Sequence, residues 1–285
     1  MFSVIIPLYN KEKSIEATIK SVLNQTFKTF ELIIINDGST DNSLQVVNKI
    51  IDDRIVIIDK RNGGVSSARN QGIKNSKFSW IAFLDGDDLW YPDFLHTISS
   101  SIIENSKTLI VAPGFELVDK SGTVVQKRCV IENMYCNYFE AINSVGISIV
   151  HSSSICINKQ CFLEVGYFNE QLTHGEDIEM WERLGKKYKF LFVSKVVSRY
   201  MQDTENRSVQ NKPDLKRTRL YNIDLGKISN ECEESYYKDA ILRFIYTSAT
   251  SLELNRSLTM YKRFRILLTN RDIIKYLYKQ ITKKF

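Results

Sequence analysis

The chain has 285 residues, of which 43% are hydrophobic and 25% are charged, and it carries a net charge of +6. This composition excludes a disordered chain and allows one large α/β domain with an appendage, which we favour over two small domains. Residues 256–285 alone carry +8, which leaves −2 for the rest of the chain and confines the basic character to the C-terminal tail.

The first 105 residues alternate between predicted strands and predicted helices. Apolar, β-branched runs indicate buried strands at residues 3–8, 30–35, 54–58 and 80–84. Helical spacing and start signals indicate helices at residues 11–25, 41–51 and 66–75, and another that opens at Pro92. This alternation predicts an α/β fold with a mostly parallel sheet and helices on both faces. Ligands of such sheets bind beyond the carboxyl ends of the strands, where polar segments stand here at residues 9–10, 36–39 and 85–88.

The remainder of the chain predicts a different organisation. A hairpin is expected at residues 118–125, a strand at 153–158, a helix at 176–187 and strands at 190–193 and 196–200. From about residue 214 onward, helical spacing dominates.

Asp85, Asp87 and Asp88 stand within four residues at the end of the fourth predicted strand. Three carboxylates this close repel one another, and a bound cation would compensate their charge. Oxygen ligands suit Mg²⁺ or Mn²⁺, and such a metal can neutralise a diphosphate leaving group. A solvated acidic turn that caps the helix opening at Pro92 explains the same residues, so the segment alone leaves both interpretations open.

Two other loops suit contacts with a nucleotide. Asp37 ends a strand and can accept a hydrogen bond from an imide N–H or a hydroxyl, although its segment also suits turn and helix-cap chemistry. Gly63 and Gly64 precede a predicted helix, where the backbone can approach an anion closely. Their spacing matches neither a dinucleotide fingerprint nor a P-loop. Arg69, on that helix, either faces phosphate or ties the loop to the sheet.

The helix predicted at residues 176–187 carries a carboxylate on its apolar face. By helical spacing, Asp177 shares a face with Met180, Trp181 and Leu184. A carboxylate beside a buried stripe is costly unless it has a partner or a function. Burial raises its pKa and the helix N-terminus lowers it, a balance that suits a general base. An acid that only stabilises the helix dipole is the alternative. The other charged residues fall towards the opposite face: Glu179, Glu182 and Lys186.

Taken together, five segments resemble glycosyltransferase family 2, an inverting family with the GT-A fold. They follow the family's order: SVIIPLYN at residues 3–10, QTF at 25–27 with NDGSTD at 36–41, NGG at 62–64 with ARN at 68–70, LDGDD at 84–88 as the DxD motif, and GED at 175–177. The resemblance implies a GT-A domain at residues 1–210, with a Rossmann-like nucleotide-binding half at 1–112 and an acceptor-side half at 113–210. A helical C-terminal extension with a basic amphipathic tail follows at residues 211–285.

The resemblance also implies how the donor is bound. Pro7, Tyr9 and Asp37 would hold the uracil and ribose of a UDP-sugar, and Arg69 is a further donor-binding candidate.

The two acidic motifs take the remaining roles that the resemblance implies. Asp85 would contact ribose or sugar, Asp87 would ligate Mn²⁺ or Mg²⁺, and Asp88 would touch the donor sugar or assist the metal. Asp177 would be the catalytic base, with Glu176 orienting acceptor or donor.

The resemblance therefore implies a metal-dependent UDP-sugar hexosyltransferase. Its acceptor would be an oligosaccharide or a lipid-linked glycan in surface polysaccharide biosynthesis. Trp181 and Arg183 stand where processive synthases carry QxxRW, which is absent, so we expect one sugar per binding event. Many relatives reach the diphosphate with a histidine that the segment 199–208 lacks, leaving Arg207 and Ser208 as candidates. The alternatives are a non-catalytic nucleotide-sugar-binding protein and a nucleotidyltransferase, which would leave the GED motif unexplained.

The tail at residues 256–285 has the pattern of a basic amphipathic helix. Arg271, Lys275, Lys279 and Lys283 recur every four residues, with Ile274, Leu277 and Ile281 opposite and Tyr276 and Tyr278 as interfacial candidates. An anionic membrane surface is one partner that fits this pattern and suits a lipid-linked acceptor. A helix packed on the domain with a solvated basic face is the alternative. No nucleic-acid-binding motif accompanies the charge, so we expect no nucleic-acid partner.

Two further features favour an intracellular protein. The apolar run at residues 1–8 is too short for a signal peptide, and no run approaches the ~20 apolar residues that span a bilayer. The five cysteines are odd in number and lack a CxxC pair, which favours reduced thiols over disulfides or zinc ligands. We expect a cytoplasmic protein, at most peripheral on the cytoplasmic face of the inner membrane.

Overall fold

The computed structural model describes residues 1–202, 204–205, 213–274 and 276, and a ten-stranded sheet with helices on both faces forms its centre. The strands are β1 (Phe2–Leu8), β2 (Phe30–Asp37), β3 (Ile55–Lys60), β4 (Trp80–Phe83), β5 (Leu89–Trp90), β6 (Ile110–Val118), β7 (Val124–Arg128), β8 (Met134–Asn137), β9 (Cys156–Asn158) and β10 (Lys189–Met201). The helices are α1 (Ile15–Leu23), α2 (Ser43–Asn48), α3 (Val65–Asn75), α4 (Phe94–Glu104), α5 (Tyr138–Val145), α6 (Lys159–Val165), α7 (Glu176–Gly185), α8 (Glu231–Thr250) and α9 (Leu254–Phe264).

The sheet is parallel in its first half and mixed in its second. Its order is β3-β2-β1-β4-β9-β6-β10-β5, with β7 paired to β6 and β8 to β10. Strands β3, β2, β1 and β4 run parallel, so Ile5 pairs with both Ile33 and Phe83. The short strand β9 is antiparallel to both β4 and β6. The predicted α/β class is confirmed, and the parallel arrangement holds for strands β1 to β4.

Two apolar clusters, one on each face, explain why the central strands carry hydrophobic residues on both faces. Ile5 and Ile33 point to a face covered by α3, α5, α6, α7 and part of α8. Val4 and Leu32 point to the opposite face, which α1, α2 and α4 cover. Because successive side chains of a strand alternate between faces, a strand covered on both sides has no polar side.

Most elements that the sequence predicts are present, with shifted ends. The hairpin is confirmed by the antiparallel pair β6 and β7. The strands predicted at residues 190–193 and 196–200 are one strand, β10, with irregular pairing between Val193 and Ser198. The strand predicted at 153–158 is a 3₁₀ turn at Ser152–Ser154 followed by β9.

The C-terminal extension packs directly against the sheet domain. Tyr236 and Tyr237 of α8 belong to the same core cluster as Phe139 of α5. Helices α8 and α9 also enclose an apolar cluster of their own, which Tyr276 joins by contacting the ring of Tyr246. Tyr276 therefore lies in a core rather than at an interface. The division at residue 210 stays a prediction.

The tail is described only in part. None of the helices within the described ranges is long and apolar enough to cross a bilayer. The predicted amphipathic repeat lies largely outside the described residues, which exclude Lys275, Leu277, Tyr278, Lys279, Ile281 and Lys283.

Candidate active site

The loops that follow β1, β2 and β4 border one cleft, as the parallel strand order requires. The start of α7 forms its other side, and the cleft has a volume of about 610 Å³. Of the nine residues proposed from the sequence, eight line this cleft: Pro7, Tyr9, Asp37, Arg69, Asp85, Asp87, Glu176 and Asp177. A second cavity of about 510 Å³, along α8, contains none of them.

Asp37 holds the glycine loop that faces it across the sheet edge. One carboxylate oxygen accepts hydrogen bonds from Lys60 Nζ and from Gly63 N at 2.9 Å, and the other accepts from Gly64 N at 2.8 Å. Gly64 has φ of +88°, a conformation that favours glycine. The amides of the glycine pair are therefore directed at Asp37. On the same wall, Tyr9 is 39% exposed at the cleft edge.

Arg69 links the two acidic motifs of the sequence. Its Nη2 donates to Asp85 Oδ1 at 2.8 Å and its Nη1 donates to Glu176 Oε1 at 3.1 Å. The side chain is only 3% exposed and lies over the ring of Phe168. Burial alone would lower the pKa of this guanidinium, but the charges of Asp85 and Glu176 outweigh burial and raise it. The described contacts thus tie Arg69 to carboxylates on both sides of the cleft.

The three DxD carboxylates occupy three different environments. Asp85 is 27% exposed and pairs with Arg69. Asp87 accepts a hydrogen bond from Lys11 Nζ at 2.7 Å and another from the hydroxyl of Thr204. Asp88 is fully buried beneath the cleft, where it accepts from the hydroxyl of Ser153 and from a backbone N–H of β10.

These environments separate the pKa values of the carboxylates. Burial raises the pKa of Asp88 well above its ordinary value, and the charges of Asp87 and Asp85 raise it further. Burial would also raise the pKa of Asp85, but the charge of Arg69 outweighs burial and lowers it. With no cation, the cluster thus favours a proton on Asp88 over a third negative charge.

His151 completes a cluster that fits a divalent cation. Asp85, Asp88 and His151 each offer one ligand atom, all within 4.8 Å of one another. Burial lowers the pKa of His151 and favours the neutral imidazole, the form that binds metals. Carboxylate oxygens with one imidazole suit Mn²⁺, and carboxylate oxygens suit Mg²⁺. Asp87, the predicted ligand, lines the same cleft but is engaged by Lys11, so its role stays a prediction.

Sequence reasoning missed His151. The residue lies in a segment without strong helical or strand periodicity, and 63 residues separate it from Asp88. Its position is fixed by the 3₁₀ turn that begins after it, where Ser153 N donates to His151 Nδ1 at 3.2 Å and the Ser153 hydroxyl bonds Asp88. No spacing rule connects a lone histidine to a distant acidic turn.

The predicted apolar stripe of α7 is confirmed. Met180, Trp181 and Leu184 are completely buried. Glu182 is also buried, against expectation, because Arg219 of the C-terminal extension covers that side of the helix and pairs with it. Arg183 pairs with Glu179 and donates to backbone carbonyls of residues 165–167. Trp181 and Arg183 therefore contribute packing and loop structure.

Glu176 and Asp177 open α7 at the cleft. Asp177 is half-buried, and its carboxylate accepts from Ile178 N at 2.7 Å and weakly from the Ser152 hydroxyl at 3.5 Å. Glu176 is 13% exposed, and burial, followed by the charge of Asp177, raises its pKa to about 7. The arrangement provides one carboxylate held by Arg69 and a neighbouring one that faces the cleft.

The segment after β10 lies over the start of α1. The Glu205 carboxylate accepts from Lys13 N and from Ser14 N, both at 3.1 Å. Arg199 is turned away from the acidic cluster towards Glu116, with which it pairs at 2.9 Å. The diphosphate-binding candidates Arg207 and Ser208 lie outside the described residues.

Comparison with known proteins adds the family. Residues 3–157, more than half of the chain, match the model of glycosyl transferase family 2. A Rickettsia typhi uncharacterized glycosyltransferase is 33% identical over 202 residues, 69% of this chain and 60% of that protein. The chondroitin synthase of Pasteurella multocida is 28% identical over 253 residues, 83% of this chain and 25% of that protein. The chain thus spans 60% of the first relative's length and a quarter of the second's.

A solved structure shares the fold. The crystal structure of S. aureus TarS 1–349, in complex with UDP-GlcNAc, matches with a TM-score of 0.76 at 20% identity, over 95% of this chain and 82% of that one. This likeness confirms the predicted GT-A fold.

Proposed function

The chain belongs to glycosyl transferase family 2, and on that premise we propose that it is an inverting, metal-dependent hexosyltransferase that moves one sugar from a UDP-sugar to a glycan. The observation that carries the proposal is one cleft lined by two separate pairs of carboxylates, Asp85 with Asp87 and Glu176 with Asp177. Two separate pairs suit two tasks, which are helping to hold a cation that would neutralise the leaving diphosphate and removing a proton from an acceptor.

The donor would lie along the ends of β1, β2 and β4. Pro7 and Tyr9 offer apolar and aromatic surface for uracil, and Asp37 offers lone pairs to its imide N–H. TarS binds UDP-GlcNAc with the same fold at 20% identity, which supports a UDP-sugar as donor.

The acidic cluster would hold the donor's diphosphate through a cation. Asp85, Asp88 and His151 form the set of ligand atoms that fits Mn²⁺ or Mg²⁺, and Asp87 at the cleft wall is the further candidate. When bound, the cation would supply charge neutralisation to the leaving diphosphate. Arg69 would keep the Asp85 carboxylate ionised and oriented.

Asp177 would act as the base in a single in-line displacement. Its carboxylate takes the proton of an acceptor hydroxyl, whose oxygen forms a bond to the anomeric carbon. The bond from that carbon to the diphosphate breaks, the electron pair leaves with UDP, and the configuration inverts. Glu176, fixed by Arg69, would orient the acceptor or the sugar beside Asp177.

The acceptor would be an oligosaccharide or a lipid-linked glycan. The resemblance to a chondroitin synthase, which makes a polysaccharide, supports a role in polysaccharide biosynthesis, although the chain spans 25% of that protein.

A peripheral position on an anionic membrane surface would suit a lipid-linked acceptor. Leu258, Tyr261, Lys262 and Arg265 are exposed on α9 and just after it, which supports this part of the proposal. Replacing Lys262 and Arg265 with glutamate should weaken co-sedimentation with vesicles that contain phosphatidylserine. Binding equal to that of the unaltered protein would contradict it.

The activity is tested by screening a panel of UDP-sugars for UDP release and sugar transfer, with Mn²⁺ and with EDTA. We expect one donor to give Mn²⁺-dependent UDP release that an acceptor accelerates. A variant with the exposed Glu132→Gln serves as the matched control and should behave as the unaltered protein. UDP binding without turnover of any donor would favour a binding protein, and release of pyrophosphate would favour a nucleotidyltransferase.

A further inference from the structure

A segment of the C-terminal extension forms the wall of the cleft next to α7. Thr173 N donates to Arg217 O at 2.9 Å, and Arg219 N donates to His174 O at 3.0 Å. His174 and Thr218 form a parallel bridge between these two contacts. The extension therefore runs alongside the residues that lead into Glu176 and Asp177.

A buried ion pair fixes this segment in place. The side chains of Arg219 and Glu182 are buried and paired, and Arg219 Nη2 also donates to the hydroxyl of Tyr236 at 3.1 Å. A Cβ on Gly175 would lie 3.1 Å from Arg219 Cβ, so the two backbones approach closely. Breaking a buried pair by removing one partner is strongly destabilising, so these contacts fix the segment against α7.

Arg217 lines the cleft from this wall. It is exposed and donates through Nε to Gln171 O at 3.2 Å. The other lining lysine and arginine side chains are engaged, Lys11 by Asp87 and Arg69 by Asp85 and by Glu176 of α7. The cleft-lining residues that the structure describes include Lys11, Arg69 and Arg217 as lysine or arginine. Of these three, Arg217 is the one with no carboxylate partner among the described residues.

The backbone contacts of Arg217 place it near the residues that lead into α7. Thr173, which it contacts, precedes Asp177 by four residues, so their Cα atoms are at most roughly 14 Å apart. The attacking hydroxyl must approach Asp177, on the side away from the leaving diphosphate. A group bound at Arg217, on this α7 side of the cleft, would then be part of the acceptor.

The charge of the cleft makes this position selective. Six carboxylates line it: Asp37, Asp85, Asp87, Glu170, Glu176 and Asp177. These carboxylates would repel an anionic acceptor along most of the cleft. The negative group of such an acceptor would therefore bind beside Arg217, which has no carboxylate partner in the part of the chain that the structure describes. The planar fork of arginine matches carboxylate and phosphate groups with two parallel hydrogen bonds.

We infer that Arg217 is an acceptor-recognition residue that binds a carboxylate or phosphate group of an anionic glycan. The inference rests on the proposed function, since it takes the ligand to be the acceptor of sugar transfer. The buried pair of Arg219 with Glu182 keeps Arg217 in position, and Lys216, its exposed neighbour, does not line the cleft.

The test compares three disaccharides that differ in one group. One ends in glucuronate, one in glucose, and one in glucose 6-phosphate. Their affinities are measured by NMR titration against the full chain with UDP and Mn²⁺ present. The unaltered protein should bind a charged disaccharide roughly 10- to 100-fold more tightly than the neutral one, the range expected for hydrogen bonds to a charged group. Preference for glucuronate or for phosphate identifies which anion the site takes.

Two variants locate the effect. Arg217→Gln should abolish the preference for the charged disaccharide without changing the affinity for UDP, and the matched Lys216→Gln should retain it. Equal affinities of the unaltered protein for all three disaccharides would overturn the inference, as would a preference that survives Arg217→Gln. UDP-sugar hydrolysis without acceptor is measured separately. Its absence, with the charge preference intact, would count against the proposed function alone.

Discussion

Replacing Glu176 with glutamine should stabilise the protein above pH 7 and leave it unchanged near pH 4.5. Burial raises the pKa of this carboxyl from 4.5 to about 7, with the charge of Asp177 adding to the effect. Between these values the folded state binds more protons than the unfolded state. The stability contributed by the protonated carboxyl is therefore complete below pH 4.5 and is lost as the pH rises through 7.

The size of the effect follows from the two pKa values. Their difference corresponds to about 3 kcal/mol at pH 8, which glutamine should recover because it carries no charge. For a protein of this size the melting temperature should rise by roughly 5 to 10 °C. Melting curves of both proteins at pH 5, 6, 7 and 8 measure this rise. If Glu176 orients acceptor or donor, sugar transfer should slow in the same variant although its folded state is more stable. Such a trade-off between activity and stability is common at active sites.

The exposed Glu132→Gln is the control and should follow the unaltered protein at every pH. A difference in melting temperature between Glu176→Gln and the unaltered protein that stays constant from pH 5 to pH 8 would refute the reasoning. Such a result would mean that Glu176 titrates alike in the folded and unfolded chain.

Three further predictions concern stability and the cation. Arg219→Met leaves Glu182 buried and unpaired and should lower the free energy of urea unfolding by about 3–5 kcal/mol. Adding Glu182→Leu to the same chain should restore most of this loss, and no recovery would contradict this account of the pair. Gly72→Ala places a Cβ in steric overlap with Ile5 Cγ2 and should cost about 1–3 kcal/mol in urea unfolding. Unchanged stability would show that α3 can move away from β1. Mn²⁺ at a hundredfold excess over Kd should add about 2.7 kcal/mol to unfolding, and equal stabilisation of Asp85→Asn would exclude Asp85 as a ligand.

The first half of the fold, from β1 to β4, was predictable because its signals are local. Each strand from β1 to β4 is a short apolar run, and those runs alternate with helical spacing. That pattern implies parallel strands, and parallel strands bring their carboxyl ends to one edge. Pro7, Asp37 and Asp85 therefore meet although they are far apart in sequence.

The second half of the sheet domain, from β5 to β10, was less predictable because its arrangement depends on long-range pairing. Strand β9 has three residues, and no residue pattern says that it runs antiparallel between β4 and β6. Helices α5 and α6 are short, and neither was predicted. The strands predicted at residues 190–193 and 196–200 are one strand, β10. The gap predicted between them is a stretch of irregular pairing inside that strand.

The candidate site divides in the same way. The acidic motifs are recognisable as motifs, and their resemblance to a family supplied their roles. The contacts that organise them are not local: Arg69 bonds Glu176 across 107 residues, and the buried Glu182 pairs with Arg219, 37 residues away. Helical periodicity placed Glu182 on an outer face because periodicity contains no information about what packs there.

The most direct test of the proposed mechanism is the Asp177→Asn variant. Its transfer rate from the donor that the panel identifies is measured beside its affinity for UDP by calorimetry. The account predicts a loss of roughly 10²- to 10⁴-fold in rate with unchanged UDP affinity, because asparagine preserves the shape and cannot accept the proton. Near-normal transfer by Asp177→Asn, with UDP bound as in the unaltered protein, would contradict the central claim that Asp177 is the base.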